Sequence, residues 1–315
     1  MQTPFDVLDT YFGILSFVMG GMIGSFLNVC IYRLPRNESI VHPRSRCPKC
    51  GKAIAWYDNV PILSWVVLGG RCRHCRQVIS WQYALVEGLT GALFVCVYWR
   101  FGATAASPIY MVLMAGLVLV TFVDLSDWTI PNEVTFPGIP LGIACSVLGM
   151  FYPASGLLVT DVFDALIGAV CGGAVLYFLD KIALVAFKKR GMGMGDVKLM
   201  AMLGAFLGWK SVIFILTVAS LLGSVFGLAM IVIGRRGAAE VTKAEGGEEK
   251  KGEATGHEEL DVATLTAPGA HYLPFGPYLV VAGILFVFFG EQLIGLYLGL
   301  IQAPEPSTTI LPILR

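Results

Sequence analysis

Apolar, charge-free runs alternate with short polar segments along most of this chain. Residues 11–32 form a run of 22 without a single charged side chain. About 20 helical residues cross the hydrocarbon core of a bilayer, so this run predicts a membrane helix. Further apolar spans are predicted at about 83–99, 105–123, 134–151, 162–187, 197–207, 211–234 and 275–294. The sixth of these eight is short. A helix of about 12 residues reaches only about 18 Å, and a tilted or re-entrant segment is the open alternative there.

The polar segments give the spans a direction. Between Arg33 and Arg76 lie nine basic residues (Arg33, Arg36, Arg44, Arg46, Lys49, Lys52, Arg71, Arg73 and Arg76) against two acids, Glu38 and Asp58. The positive-inside rule puts this segment in the cytoplasm and the N-terminus outside. Eight alternating spans then bring the clusters Lys188-Lys189-Arg190 and Arg235-Arg236 to the same side. The first ten residues hold Asp6 and Asp9 but no Lys or Arg, so the first span is expected to be retained and not cleaved as a signal.

Composition narrows the class. The chain has 315 residues, 56% hydrophobic and only 14% charged, with a mean hydropathy of +0.73. Soluble domains carry about 25% charged residues, so a soluble enzyme is excluded, and so is a disordered chain. The predicted fold is an all-α polytopic membrane protein with about eight transmembrane helices and a small cytoplasmic four-cysteine zinc-binding domain. Its expected parts are a first helix (1–32), the zinc-binding domain (33–82), helices 83–236, an acidic disordered loop (237–270), and a last helix with its tail (271–315). Residues 240–261 hold eight acids and three lysines, which suits a solvated loop. No nucleic-acid partner is expected.

Two constellations could carry chemistry. The first is Cys47-Pro-Lys-Cys50 with Cys72-Arg-His-Cys75. Each Cys-x-x-Cys brings two thiolates to one knuckle, and two knuckles complete a tetrahedral four-sulfur site suited to structural zinc. The 21-residue spacer is about one residue beyond the usual spacing; redox dithiols are the alternative. His74 is read as solvent-facing. Cys30, Cys96, Cys145 and Cys171 lie in apolar stretches as small buried hydrophobes.

The second is a pair of acids. Asp124 closes the third span, and Asp196 ends Gly191-Met-Gly-Met-Gly-Asp196 just before an apolar stretch. Both fall at the cytoplasmic membrane boundary, where carboxylates are costly and usually functional. Two that converge can share a proton and work as base and acid on a peptide bond. Gly193 and Gly195 would let an extended substrate backbone approach. The alternative is that both acids only cap helices. No Gly-Lys-Ser/Thr follows the glycines, which removes a phosphate-binding loop. Asp127 is expected to face solvent or to cap. Asp180 and Lys181 are read as a local ion pair or a partner contact, and Glu87 as a buried polar or substrate contact; Glu291 also lies near a span.

Together these segments resemble the type IV prepilin peptidase family. The resemblance rests on Gly24-Ser-Phe-Leu-Asn-Val-Cys-Ile-Tyr-Arg-Leu-Pro35, the two knuckles, Asn59-Val-Pro-Ile-Leu-Ser-Trp65, Leu68-Gly-Gly-Arg-Cys72 and Tyr83-Ala-Leu-Val-Glu87. It continues through Asp124 with Thr129-Ile-Pro-Asn132, Gly193-Met-Gly-Asp196-Val-Lys-Leu, and Pro274-Phe-Gly-Pro277. It implies an intramembrane aspartic protease of the Gly-x-Gly-Asp type, with Asp124 and Asp196 as its catalytic pair, in the bacterial inner membrane. The implied substrates are type IV prepilins or type II secretion pseudopilins, cut on the cytoplasmic side. The new N-terminus would then be methylated from S-adenosylmethionine, by residues the sequence does not identify. The family's four cysteines correspond to Cys47, Cys50, Cys72 and Cys75. This chain departs at Asn132, where the family often has Asp, and in a longer loop at 237–268. A non-methylating Gly-x-Gly-Asp protease and a non-enzymatic zinc-bearing scaffold stay open as alternatives.

Overall fold

The structure is a computed structural model that describes residues 7–47, 49–188, 192–245 and 274–301. These contain nine α-helices and no strand: α1 (Val7–Arg33), α2 (Leu63–Val67), α3 (Trp81–Phe101), α4 (Ala106–Asp127), α5 (Asn132–Phe151), α6 (Val162–Phe187), α7 (Met194–Leu207), α8 (Trp209–Glu245) and α9 (Gly276–Ile301). The eight predicted spans correspond to α1 and α3–α9, and α2 is an addition. Six helices (α1, α3, α4, α5, α6 and α8) are long and apolar enough to cross a membrane, and α9 adds a shorter apolar stretch, Gly276–Gly290. The chain is a multi-pass membrane protein. α8 continues to Glu245, so residues 237–245, expected in the disordered loop, extend the preceding helix instead; residues 246–270 of the loop and the side chain of Glu291 lie outside the described residues.

Local chemistry sets the helix ends. The Ser80 hydroxyl accepts from the Gln82 amide at 3.2 Å and caps α3. The Asp161 carboxylate accepts from the Phe163 amide at 2.9 Å and caps α6. Gly208, at φ +78°, ends α7.

Glycines let the helices touch backbone to backbone. A Cβ on Gly20 would strike the Thr90 carbonyl and Gly91 Cα, and one on Gly24 would strike Glu87 Cα, so α1 lies directly on α3. Gly168 of α6 meets Gly204 of α7 in the same way, and Gly142 of α5 meets Ala205. Close approach of this kind replaces the hydrophobic drive that lipid cannot supply.

These contacts explain the short helix. α7 has 14 residues, about 21 Å. It packs against α5, α6, α8 and α9, and Leu199, Met200, Leu203 and Ala205 are fully buried. A helix sheathed in protein does not have to match the bilayer thickness. α4 is the other interior helix, with Met114, Leu117 and Val120 fully buried, and it packs on α1, α3 and α9.

Candidate active site and metal centre

Asp124 lies in the last turn of α4, and Asp196 in the first turn of α7. Alternation of the helices brings both to the bundle end that carries the cysteine segment. Each is buried, at 6% and 8% exposure, and the charge of Asp124 acts on Asp196 across the gap between them. The two sequence-predicted acids therefore converge.

Their hydrogen bonding differs. The Asp196 carboxylate accepts from the Gly193 amide at 3.3 Å, while its own amide donates to the Gly193 carbonyl at 3.2 Å. It closes the start of α7 on itself, where the helix dipole favours an anion. The Asp124 carboxylate instead meets the backbone of Gly276 at the start of α9. Its Oδ2 is buried with no hydrogen-bond partner among the described residues. Gly276, the first residue of α9, presses directly on that carboxylate.

The glycines of the Gly-x-Gly-Asp run are used unequally. Gly193 is exposed and open to an approaching chain. The open side of Gly195 is filled by this chain's own Ile130, whose Cδ1 also reaches the face of Gly276. Ile130 thus packs between the two helix starts beside the acids.

The neighbouring polar residues have local duties. Asp127 is half-buried and accepts from the Ser126 hydroxyl at 2.7 Å. Asp180 is buried and accepts from the Met192 amide at 3.2 Å, which fixes the approach to α7. Lys181 lies over the Tyr177 ring, 5.2 Å from its centroid. Asn132 accepts from Lys198 at 2.9 Å and ties the start of α5 to α7 two residues beyond Asp196. Glu87 is buried in α3 and accepts from the Ile62 amide at 2.7 Å.

The four cysteines form one cluster. One sulfur from each of Cys47, Cys50, Cys72 and Cys75 lies within 4.8 Å of all the others, and Cys47 and Cys75 are 3.8 Å apart. A tetrahedron with 2.3 Å metal–sulfur bonds has edges of about 3.8 Å. The two knuckles repeat each other. Cys47 and Cys72 donate to the carbonyls of Lys52 and Gln77, and Gly51 and Arg76 donate to the carbonyls of Cys47 and Cys72, all at 2.9 Å. The amides of Cys75 and His74 point at the Cys72 sulfur and pull its thiol down to about 6, into the thiolate range at neutral pH. The donor set and its spacing fit one tetrahedral metal ion. His74 is exposed. Nearby, Asp58 receives two guanidinium hydrogen bonds from Arg73, at 2.8 and 2.6 Å. They hold the Asp58 carboxyl below its usual range.

A helical membrane bundle with two buried acids at helix ends, and a four-cysteine cluster that could hold a metal ion, narrow the class. Comparison with known proteins agrees. The bacterial peptidase A24 N-terminal domain family matches residues 18–101, and the type IV leader peptidase family matches residues 111–228. A prepilin leader peptidase/N-methyltransferase of Myxococcus xanthus is 44% identical over 237 residues, 73% of this chain and 68% of that protein. Proteins of the same name from Aeromonas salmonicida and Pseudomonas aeruginosa are 32% and 30% identical, over 92% and 91% of this chain and 95% and 93% of their own. No solved structure matches the chain. The chain belongs to the type IV leader peptidase family.

Several participants escaped the sequence reading. Ile130 and Gly276 were seen only inside quoted motifs, and neither had a role. Flanking prolines, Pro131 and Pro274-Phe-Gly-Pro277, were the available signal, because they mark backbone held in one place beside the acids.

Proposed function

We propose that this chain is a prepilin leader peptidase and N-methyltransferase of the bacterial inner membrane, with its cysteine module in the cytoplasm. Asp124 and Asp196 are its catalytic pair. The observation that carries this reading is their convergence: two buried carboxylates near enough for the charge of one to act on the other, one with an unpaired oxygen.

The chemistry follows from that arrangement. Two acids that interact this way can share one proton and titrate as a unit. The ionised member takes a proton from a water as it attacks the scissile carbonyl. The protonated member gives its proton to the carbonyl oxygen; as the gem-diol collapses, the first acid passes the water-derived proton to the leaving nitrogen, the C–N bond breaks, and a gem-diol hydroxyl returns its proton to the second acid. The exposed backbone at Gly193 can pair with the extended leader. The basic residues of the cysteine module would not attract a basic leader by charge; they suit anionic lipid headgroups.

The cysteine cluster is assigned to structural zinc, held by Cys47, Cys50, Cys72 and Cys75. A closed four-sulfur site leaves no position for a substrate, so the ion supplies folding energy to a segment with little core of its own. The second activity uses S-adenosylmethionine as methyl donor, acting on type IV prepilins or type II secretion pseudopilins. Co-expression with a prepilin, followed by intact-mass analysis, tests the whole reading. The expected product has lost its leader and gained one methyl group. An unprocessed prepilin beside a correctly inserted enzyme overturns the assignment.

A further inference from the structure

Ile62 has φ 61° and ψ −51°, a region that β-branched residues avoid. Strain of this kind persists only where the surroundings fix it, and here they do. The Glu87 carboxylate accepts the Ile62 amide at 2.7 Å, and Ser25 of α1 hydrogen-bonds the same carboxylate. Pro61 rests on Gly21 of α1, and the tip of the Ile62 side chain rests on Gly88 of α3.

The depth of this turn can be read from the α1–α3 pair. Asn28 donates to the Tyr83 carbonyl, Gly24 meets Glu87 and Gly20 meets Gly91, which sets the two helices antiparallel in register. α3 has 21 residues, about 31 Å, long enough to span the hydrocarbon core. Gly88 lies seven residues into it, so the turn sits about 10 Å below Trp81.

Non-helical backbone at that depth must satisfy its own polar groups. It does so here. The amide of Val60 donates to the Ser64 hydroxyl, Ile62 to Glu87, Leu63 to the Pro61 carbonyl, Ser64 to the Val60 carbonyl, and Val66 to the Ile62 carbonyl. The side chains then face outward. Leu63, Val66 and Val67 share one face of α2 at i, i+3 and i+4, and are 60%, 61% and 72% exposed. Trp81 is also exposed, where aromatic residues favour the membrane interface, and Lys49, Lys52, Arg71 and Arg76 surround the cysteine cluster.

We infer that residues 60–67 form a re-entrant element sunk into the cytoplasmic leaflet, with the Leu63–Val66–Val67 face against acyl chains and Glu87 as the latch that holds it there. The cysteine module is thereby docked in the membrane surface and does not hang below it. This inference rests on the membrane orientation proposed above and not on the peptidase chemistry, and its readout is lipid contact, so the two fail separately.

The test uses the full chain in nanodiscs of phosphatidylethanolamine and phosphatidylglycerol. A benzophenone amino acid replaces Val66, or Val112 of α4 as the lipid-facing reference, or Lys49 as the solvent reference. After illumination, adducts of phospholipid mass are expected at positions 66 and 112 and not at 49. Adducts at 112 without adducts at 66 overturn the inference. So does a cross-link from position 66 to a co-reconstituted prepilin in place of lipid, which would make this face a substrate dock. With the probe at 66, Glu87→Ala should lower the lipid adduct, by up to about tenfold, the ratio by which one lost hydrogen bond shifts the docking equilibrium. Glu87→Gln, which keeps an acceptor oxygen, should retain most of it. Equal adducts in the wild type and Glu87→Ala overturn the latch. Metal content of each variant verifies that the cysteine module is still folded.

Discussion

Gly276 and the Asp124 carboxylate leave no room for a methyl group between them. The first residue of α9 therefore sets where a proposed catalytic oxygen sits, although the two are 152 positions apart (276 − 124) in sequence. Gly276→Ala should push the carboxylate aside and lower cleavage about 10²-fold, the usual cost of an ångström-scale misplacement. Gly223→Ala in α8 meets only an ordinary contact with Tyr278 and should be tolerated. Leader removal by both variants, at matched expression, checks the contrast.

Charge removal without loss of shape is the sharper test of the acids. Asp124→Asn and Asp196→Asn should each lower cleavage by at least about 10²–10⁴-fold, the range for a general acid or base. The effects should not add in the double variant, because the pair acts as a unit. Membrane insertion should be unchanged. Turnover near wild type in either single variant would remove that residue from the mechanism.

The cysteine cluster predicts one tightly held metal ion per chain. Cys72→Ser with Cys75→Ser should release it, as read by elemental analysis of purified protein. Because the aspartates lie on α4 and α7, away from the knuckles, cleavage should survive at a reduced level. Loss of N-terminal methylation with retained cleavage would tie the module to the second activity.

The repeated knuckles share one left-handed backbone position but fill it with different residues. Gly51 and Arg76 both adopt a left-handed conformation, at φ 69° and φ 58°, and only glycine does so without cost. Arg76→Gly should stabilise the module by about 0.5–1 kcal/mol, once glycine's own entropy is set against the relieved strain. Chelator titration should show the metal retained to higher chelator concentration. Weaker retention would mean that the arginine side chain is the more important feature there.

Periodicity and charge were enough to place all eight apolar helices, because each span had to satisfy its backbone internally and each basic cluster had to stay out of lipid. The cysteine spacing was equally legible, since the ligand geometry is local. The meeting of Asp124 with Asp196 was expected from their shared depth and carried by the family resemblance. What the sequence could not convey was contact between distant glycines and their partners. Nothing local announces that Ile130 fills the side of Gly195, or that Glu87 reaches back to Ile62. Such pairings are set by helix packing, and a glycine reads the same whether it serves a turn, a crossing or an approaching ligand.

The glycine crossings divide the bundle unevenly. Gly168–Gly204 and Gly142–Ala205 lock α7 to α6 and α5, whereas α4 is held by α1, α3 and α9 and only lightly by α5. α9 packs on both α4 and α7, so one helix braces the two that carry the acids. A substitution on the inner face of that shared helix would therefore be felt at both carboxylates at once.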